Sequence, residues 1–419
     1  MKTITLLTSG TRGDVLPYIA LGLGLRDAGY NVRIAAPIGF KQIIEPSGLT
    51  FTSFEGNPSD LMINQSDPLT IGNNFINSIR STRNFINQAR AIYPHMLRSA
   101  ANACHSSHAL VYGLPTLWGA HIAESLGIPA IRAVLQPIAP TRQFPSALLP
   151  FRFPFLGIGN WFTHWIVTQA MWLSFHREIN HTRQTHLNLP RPHWLDPSLQ
   201  TFPDQPLTLN GFSEHIVPRP SDWNEKQIIT GYWRSSAETW NPPKELMQFI
   251  QHSSERTIAV GLGSPGTKDF IRIVNILDEA LNQSDARAVL TLPSQWHAQI
   301  KSENISPIKY APHEWLYQYV SAAVHHGGAG TTSASLHAGI PTVILPLAID
   351  QYFWGERVYK IGVGPKPIPQ RALNAVNLAN AIRQSLQDHD MHARAKAVSA
   401  ALSLENGIQA ALRVMRDVV

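Results

Sequence analysis

The chain has 419 residues, 44% of them apolar and 15% charged, which suits two or three domains with sizeable cores and excludes a disordered chain. Its 34 Lys and Arg against 28 Asp and Glu leave a net charge of +6 with no clustered basic stripe, so nucleic acid is not an expected partner. The single cysteine, Cys104, excludes a disulfide scaffold or a thiolate metal cluster and fits a reducing compartment. The opening MKTITLLTSG lacks the long apolar core and cleavage site of a secretory signal. No run of about 18 residues is free of polar breaks, so a cytoplasmic chain without a transmembrane helix is expected.

In chain order, residues 3–8 form an apolar, β-branched strand ending in Ser9-Gly10. Residues 15–27 carry Leu16, Ile19, Ala20 and Leu23 at helical spacing, with Gly29 placed for the C-terminal turn. Strands follow at 32–36 and 49–54, then at 109–114, a helix at 117–126 and a strand at 130–134. Residues 136–192 are rich in proline and aromatics without clear alternation, and 204–245 read as a connector. Strand–helix alternation resumes at 258–262, 268–281 and 287–292, and again at 322–325, 332–338 and 342–345; residues 373–419 read as helical. Strands alternating with helices predict parallel sheets, hence an α/β protein of two similar halves, with ligands at the carboxyl ends of the strands.

The strongest chemical signal is Val324-His-His-Gly-Gly-Ala-Gly-Thr-Thr332, where a strand ends and a helix begins. Glycines at 327, 328 and 330 allow close backbone approach, and a helix start offers free N–H groups with a positive dipole end, which together suit phosphate. Asp350 and Gln351 follow the next strand and lie at the same sheet edge. Such a pair can hold the vicinal hydroxyls of a sugar, although Asp350 could equally be a helix N-cap. Phosphate and sugar contacts on one edge point to a nucleotide sugar. Three other patterns carry less. Asp388-His-Asp390 has the form of a metal-binding Asp-x-Asp but falls in a late polar stretch. Gly261-Leu-Gly-Ser-Pro-Gly266 fits a dinucleotide fingerprint, and a nicotinamide oxidoreductase is the different-class alternative, but Asp285 precedes the strand it should follow. His325 and His326 adjoin, yet strand neighbours point to opposite faces.

The segments from Tyr310-Ala-Pro-His-Glu-Trp-Leu through His325–Thr332 to Asp350-Gln-Tyr-Phe-Trp-Gly resemble the donor signature of family 1 nucleotide-sugar glycosyltransferases. With Gly10-Thr-Arg-Gly-Asp-Val-Leu-Pro-Tyr and Thr230-Gly-Tyr-Trp, the chain looks most similar to the sterol 3-beta-glucosyltransferase branch. The resemblance implies the GT-B fold, two facing Rossmann-like domains with parallel sheets and an interdomain cleft. The domains would be an acceptor domain at 1–205, a connector at 206–245, a donor domain at 246–395 and a C-terminal helix at 396–419 returning to the first domain. It implies an inverting, metal-independent hexosyltransferase using a UDP-sugar co-substrate, UDP-glucose in that branch, with no cofactor and no metal ligand.

Carried over by position, the resemblance gives the diphosphate to His326, Gly327, Gly328, Ala329, Gly330 and Thr331 with help from Ser264, and the sugar hydroxyls to Asp350 and Gln351. Tyr310 stands where many relatives stack a Trp on the base, and His313, Thr11 and Arg12 complete the donor set. Plant relatives carry a ribose-binding Glu where this chain has Ala334, which leaves UDP and dTDP both open. Asp14 stands at the position of the catalytic base; a carboxylate is a weak base unless desolvated, so a raised pKa is expected, and Asp14 can also cap the helix behind it.

The acceptor side falls on residues 125–177, which hold no Asp or Glu and many aromatics and arginines. Phe144, Trp161, Trp165 and Trp172 are the expected acceptor contacts, for a lipophilic alcohol such as a sterol. A polyketide, carotenoid or other natural product is the alternative acceptor. The same composition suits a peripheral contact with anionic lipid at the inner membrane surface.

Overall fold

Two parallel sheets organise the chain in the computed structural model, which describes residues 1–57, 75–149, 157–192, 206–235, 240–252, 256–262 and 267–419. The first is built from β1 (Thr3–Leu7), α1 (Arg12–Asp27), β2 (Asn31–Pro37), β3 (Thr50–Phe54), α2 (Phe75–Ala103), β4 (Ala109–Tyr112), α3 (Gly119–Leu126), β5 (Ala130–Val134), α4 (Ile158–Thr185), β6 (Thr208–Asn210) and β7 (Gln227–Ile229). Its strand order is β3-β2-β1-β4-β5-β6-β7. Every pairing is parallel, with Leu7 opposite Ala35 on one side and Tyr112 on the other. Helices cover both faces, so β1 is buried at all five residues, as a parallel sheet requires. The order reverses between β1 and β4. Loops leaving those two strands therefore diverge and open a crevice at their carboxyl ends.

The second sheet follows from α5 (Lys244–His252), β8 (Thr257–Gly261), α6 (Thr267–Ser284), β9 (Arg287–Thr291), β10 (Ile305–Ile308), β11 (Ala322–His325), α7 (Ala329–Ala338), β12 (Thr342–Ile344), α8 (Gln351–Lys360), α9 (Ala375–Gln387) and α10 (His389–Ser403). The order is β10-β9-β8-β11-β12, again all parallel, with the reversal between β8 and β11. Ile258 and Val260 face one core with Leu277 and Ile382; Ala259 faces the other with Leu246 and Tyr317. The last helix, α11 (Gly407–Arg416), belongs to the first unit. It packs on α1, where Gly24 leaves room for Ile408.

The chain divides into Met1–Asn64, Ile79–Ser235 and Glu405–Val419 on one side, and Gln65–Ser78 with Ser236–Leu404 on the other. This corrects the expected boundaries. Residues 206–235 are not a connector; they supply β6 and β7, three-residue strands too short to show a period in sequence. The tail changes unit at 404/405 rather than at 396, because α10 packs against α7 and only α11 returns. Ser213 fixes that return by donating to Glu405 Oε1 at 2.5 Å. The first helix starts at Arg12 rather than at residue 15, and the 28-residue α4 lies where no periodicity was legible. Among the described residues no helix is long and apolar enough to cross a membrane.

Candidate functional site

At the reversal point of the first sheet, β1 runs into Thr8-Ser9-Gly10 and then α1. Asn57 clamps this turn: its Oδ1 accepts from the Ser9 hydroxyl at 3.1 Å and the Gly10 N–H at 3.2 Å, and its Nδ2 donates to the Gly10 carbonyl at 3.1 Å. Gly10 has φ +111°, and a Cβ there would lie 2.6 Å from Asp14 Oδ2, so glycine is what lets the carboxylate fold back over the turn. Asp14 occupies the third helical position. Its Oδ2 accepts from the backbone N–H and the hydroxyl of the N-cap Thr11, both at 2.8 Å. Asp14 therefore does cap α1, and it does so with one oxygen. Thr11, expected on the donor, spends both donors on Asp14, and Arg12 beside it is exposed.

Burial raises the Asp14 carboxyl above its ordinary value, outweighing the two Thr11 bonds that lower it. The carboxylate borders a shallow recess lined by Tyr18, Leu114, Pro115, Ala133, Leu135 and Gln136. Tyr18 is held by donating to the Ala133 carbonyl at 2.6 Å. Leu114 also lines a second, larger recess, walled by Leu117, Ile138, Leu148, Val167 and Met171 together with Arg132. These walls come from the loops after β4 and β5 and from one side of α4, the elements at the carboxyl ends of neighbouring strands.

None of the four expected acceptor aromatics lines either recess. Phe144 and Trp172 are buried, the first beside His164 and the second beside His121. Trp161 is half-buried, and Trp165 stacks on Phe162 at 5.4 Å. The lining residues were missed because they are ordinary aliphatics; only the Val167/Met171 spacing of one helical turn hinted at a shared face.

At the reversal point of the second sheet, β11 ends in His325 opposite Gly261 of β8, and the glycine turn follows. Gly327 has φ +89°; a Cβ there would stand 2.6 Å from Ile344 Cγ2 and 3.1 Å from the Gln351 carbonyl oxygen. The turn is thus pressed against β12 and α8. His325 is buried and accepts from the Gly327 N–H at 3.0 Å, and burial holds its ring well below the usual histidine range, hence neutral. His326 is only partly buried; burial lowers its pKa as well, a hydrogen bond with the Gly261 backbone opposes this, and its Nδ1 has no partner. Helix α7 starts at Ala329 after Gly328, and its first turned N–H to find a carbonyl is that of Thr332, bonded to Gly328 at 2.9 Å. The N–H groups of Ala329, Gly330 and Thr331 precede any intrahelical partner and carry the positive end of the helix.

Past β12, Gln351 Oε1 accepts from Leu347 N–H at 2.8 Å and Ala348 N–H at 3.2 Å, which leaves its amide NH2 as the side chain's remaining polar group. Asp350 Oδ2 accepts from Trp354 Nε1 at 3.1 Å, and Trp354 is fully buried. Ile349 takes φ +53°, a costly conformation for a β-branched residue, and presents this pair from a tight corner. Tyr310 is 39% exposed beyond β10, and His313 heads a single helical turn, stacked on Tyr317 at 5.2 Å. Ser264 lies outside the described residues. Asp388 caps α10 by accepting from Met391 N–H at 2.8 Å, and Asp285 pairs with Arg256, so both have structural partners. Among the described residues no group of three or more His, Cys, Asp or Glu could hold a metal ion.

Residues 4–145 match the glycosyltransferase family 28 N-terminal domain, and residues 275–406 match the EryCIII-like (erythromycin biosynthesis protein CIII-like) C-terminal domain. The fold is shared with a crystal structure of the glycotransferase of kitacinnamycin (TM-score 0.70, 17% identity, 100% of this chain and 99% of that one) and with the glycosyltransferase VinC in complex with dTDP (TM-score 0.65, 18% identity, 99% and 98%). The chain has the GT-B fold, with its N-terminal part similar to the family 28 domain and its C-terminal part similar to the EryCIII-like domain. It is similar to the sterol 3-beta-glucosyltransferase of Glomerella lagenarium, 34% identical over 99% of this chain. It spans 28% of that relative's length.

Proposed function

We propose that the chain is a glycosyltransferase that moves a hexose from a nucleotide sugar, UDP-glucose, to the hydroxyl of a lipophilic alcohol such as a sterol. The observation that carries the reading is the glycine turn at the β8/β11 reversal point, with three unpaired helix N–H groups, a partner-free His326 Nδ1 and the Asp350/Gln351 pair on one strand edge. The similarity to a sterol 3-beta-glucosyltransferase supports the sugar and the acceptor class.

In the reaction the acceptor oxygen attacks the anomeric carbon from the face opposite the diphosphate. The new C–O bond forms as the bond to the diphosphate oxygen breaks, so the configuration inverts. The acceptor proton passes to Asp14, and the electron pair leaves on the diphosphate. The N–H groups at Ala329, Gly330 and Thr331 and the α7 dipole stabilise that charge, with no metal ion required. Gly328 keeps the approach open, and His326 turns its unpaired nitrogen to the same anion. Asp350 and Gln351 hold the sugar hydroxyls, Tyr310 and His313 the base, Arg12 the outer phosphate. The aliphatic recess from Leu114 to Met171 takes the acceptor. The protein acts in the cytoplasm, touching membrane peripherally.

The test is release of UDP from UDP-glucose and of dTDP from dTDP-glucose, with and without a sterol panel, in EDTA. Release with UDP-glucose that needs a sterol and survives EDTA is the expected result. Release without acceptor makes the chain a hydrolase, and NAD binding without release favours an oxidoreductase. Activity with dTDP-glucose alone transfers the reading to natural-product acceptors.

Trp354 should position Asp350 without touching the donor. In Trp354→Phe a smaller aromatic ring replaces the indole and the Nε1 bond is lost, and the donor KM is expected to rise about tenfold, with the acceptor KM unchanged. Steady-state kinetics with each substrate varied in turn checks this; equal shifts in both KM values count against a positioning role.

A further inference from the structure

The outer face of α4 has the wrong polarity for a solvated helix. Its exposed positions recur every three or four residues as Ile158, Phe162, Ile166, Ala170 and Leu173. Ile158 is 71% exposed, and Phe162, Ile166 and Leu173 are 46–49% exposed. The stripe runs about 22 Å at 1.5 Å per residue. Phe162 stacks on Trp165 at 5.4 Å, which widens it.

In its first two turns the inner face is polar: Asn160, Thr163 and His164 are buried there, while Trp172 and Ile179 bury apolar side chains further along. Asn160 Nδ2 donates to the Arg142 carbonyl at 2.9 Å, Thr163 Oγ1 accepts from Ser146 N–H at 2.8 Å, and His164 Nε2 bonds the Phe144 carbonyl at 3.1 Å. The helix is thus docked by hydrogen bonds and leaves its apolar stripe outside, where the fold makes no use of it. A third side of the same helix, Val167, Thr168 and Met171, walls the larger recess.

Charge decides what covers the stripe. Residues 125–177 contain no carboxylate, and exposed Arg177 follows Leu173 by one helical turn at the far end of the stripe. An apolar strip in a carboxylate-free segment, with an arginine at one end, is complementary to acyl chains below anionic headgroups. We propose that this stripe of α4 lies on an anionic lipid bilayer, so that the recess on its other side draws a lipophilic alcohol from the membrane. The source of the alcohol rests on the acceptor reading above; the lipid contact does not.

The test is sedimentation of the full chain with vesicles of phosphatidylcholine alone and with phosphatidylglycerol added. Binding to the anionic vesicles that weakens with salt is expected, and Phe162→Gln/Ile166→Gln should weaken it more than about tenfold at unchanged melting temperature. Transfer to a vesicle-embedded sterol should fall by a similar factor, and transfer to a detergent-dispersed sterol should not. Should the double variant fail to fold, Arg177→Glu, which touches no core, is expected to weaken anionic binding severalfold. Equal binding by wild type and variants, or none by wild type, overturns the proposal, as does a variant that turns a wild-type dimer into a monomer, which assigns the stripe to a second copy. A chain that binds through the stripe but transfers no sugar sinks the proposed function and leaves the lipid contact standing.

Discussion

Asp14→Asn is expected to lower kcat for transfer by about 10² to 10⁴-fold while melting no lower than wild type. Asparagine keeps the shape and an oxygen for the two Thr11 bonds, so the cap on α1 survives, but it cannot take the acceptor proton. The stability sign follows from the raised pKa. The folded carboxyl holds its proton more tightly than the unfolded one, whose value is near 3.8. Stability is therefore lost as pH rises from that value through the folded pKa, and at neutral pH the ionised group is a net cost that asparagine removes. The variant's thermal advantage should vanish below the unfolded pKa. In wild type the acid limb of the rate profile should lie above the ordinary carboxylate range. Full activity in the variant would make Asp14 a cap and nothing more, and a melting temperature several degrees lower would overturn the stability sign.

The glycine turn should separate ligand from fold in a second experiment. Gly330 is exposed, and a Cβ there meets nothing within 4 Å, so Gly330→Ala should fold as well as wild type. Alanine even favours the helix by up to about 1 kcal/mol. Its methyl stands over the unpaired N–H groups, and the donor KM is expected to rise about tenfold or more. Gly327→Ala should do the opposite. Its φ of +89° and its close approach to Ile344 and the Gln351 carbonyl put the cost in the fold, about 2–4 kcal/mol, read by chemical denaturation. If Gly330→Ala leaves the donor KM untouched, the helix start does not hold the diphosphate.

Much of this was legible locally. The βαβ alternation, the glycine turn after β11 and the placement of Asp14 just behind β1 are local patterns, and each lies where it was expected. Helix α4 was not legible because its faces are mixed: buried Asn160, Thr163, His164 and Gln169 are polar, buried Trp172 and Ile179 are not, and exposed Ile158, Phe162, Ile166 and Leu173 are apolar. A periodicity search tuned to apolar cores reads such a helix as irregular. The expected acceptor aromatics meet a related limit. Aromatic content says that a segment is apolar but not which side of a helix each ring takes, and Trp172 went to the core while Trp165 went to the outer face.

By itself, then, the amino-acid order determined the class of the protein, the two sheets and the residue types at each strand end, because strand and helix periods are properties of consecutive residues. Only the tertiary structure decided which strands lie side by side, and that put the Asp14 turn and the glycine turn at the two points where the strand order reverses. It also decided which atoms are left for a ligand. Asp14 spends Oδ2 on Thr11, Gln351 spends its carbonyl on the Leu347–Ala348 backbone, and Asp350 spends Oδ2 on Trp354. Hydrogen-bond donors and acceptors are finite and are shared with whatever the fold brings near, so the chemistry left over at a site is set by neighbours that the sequence alone does not identify.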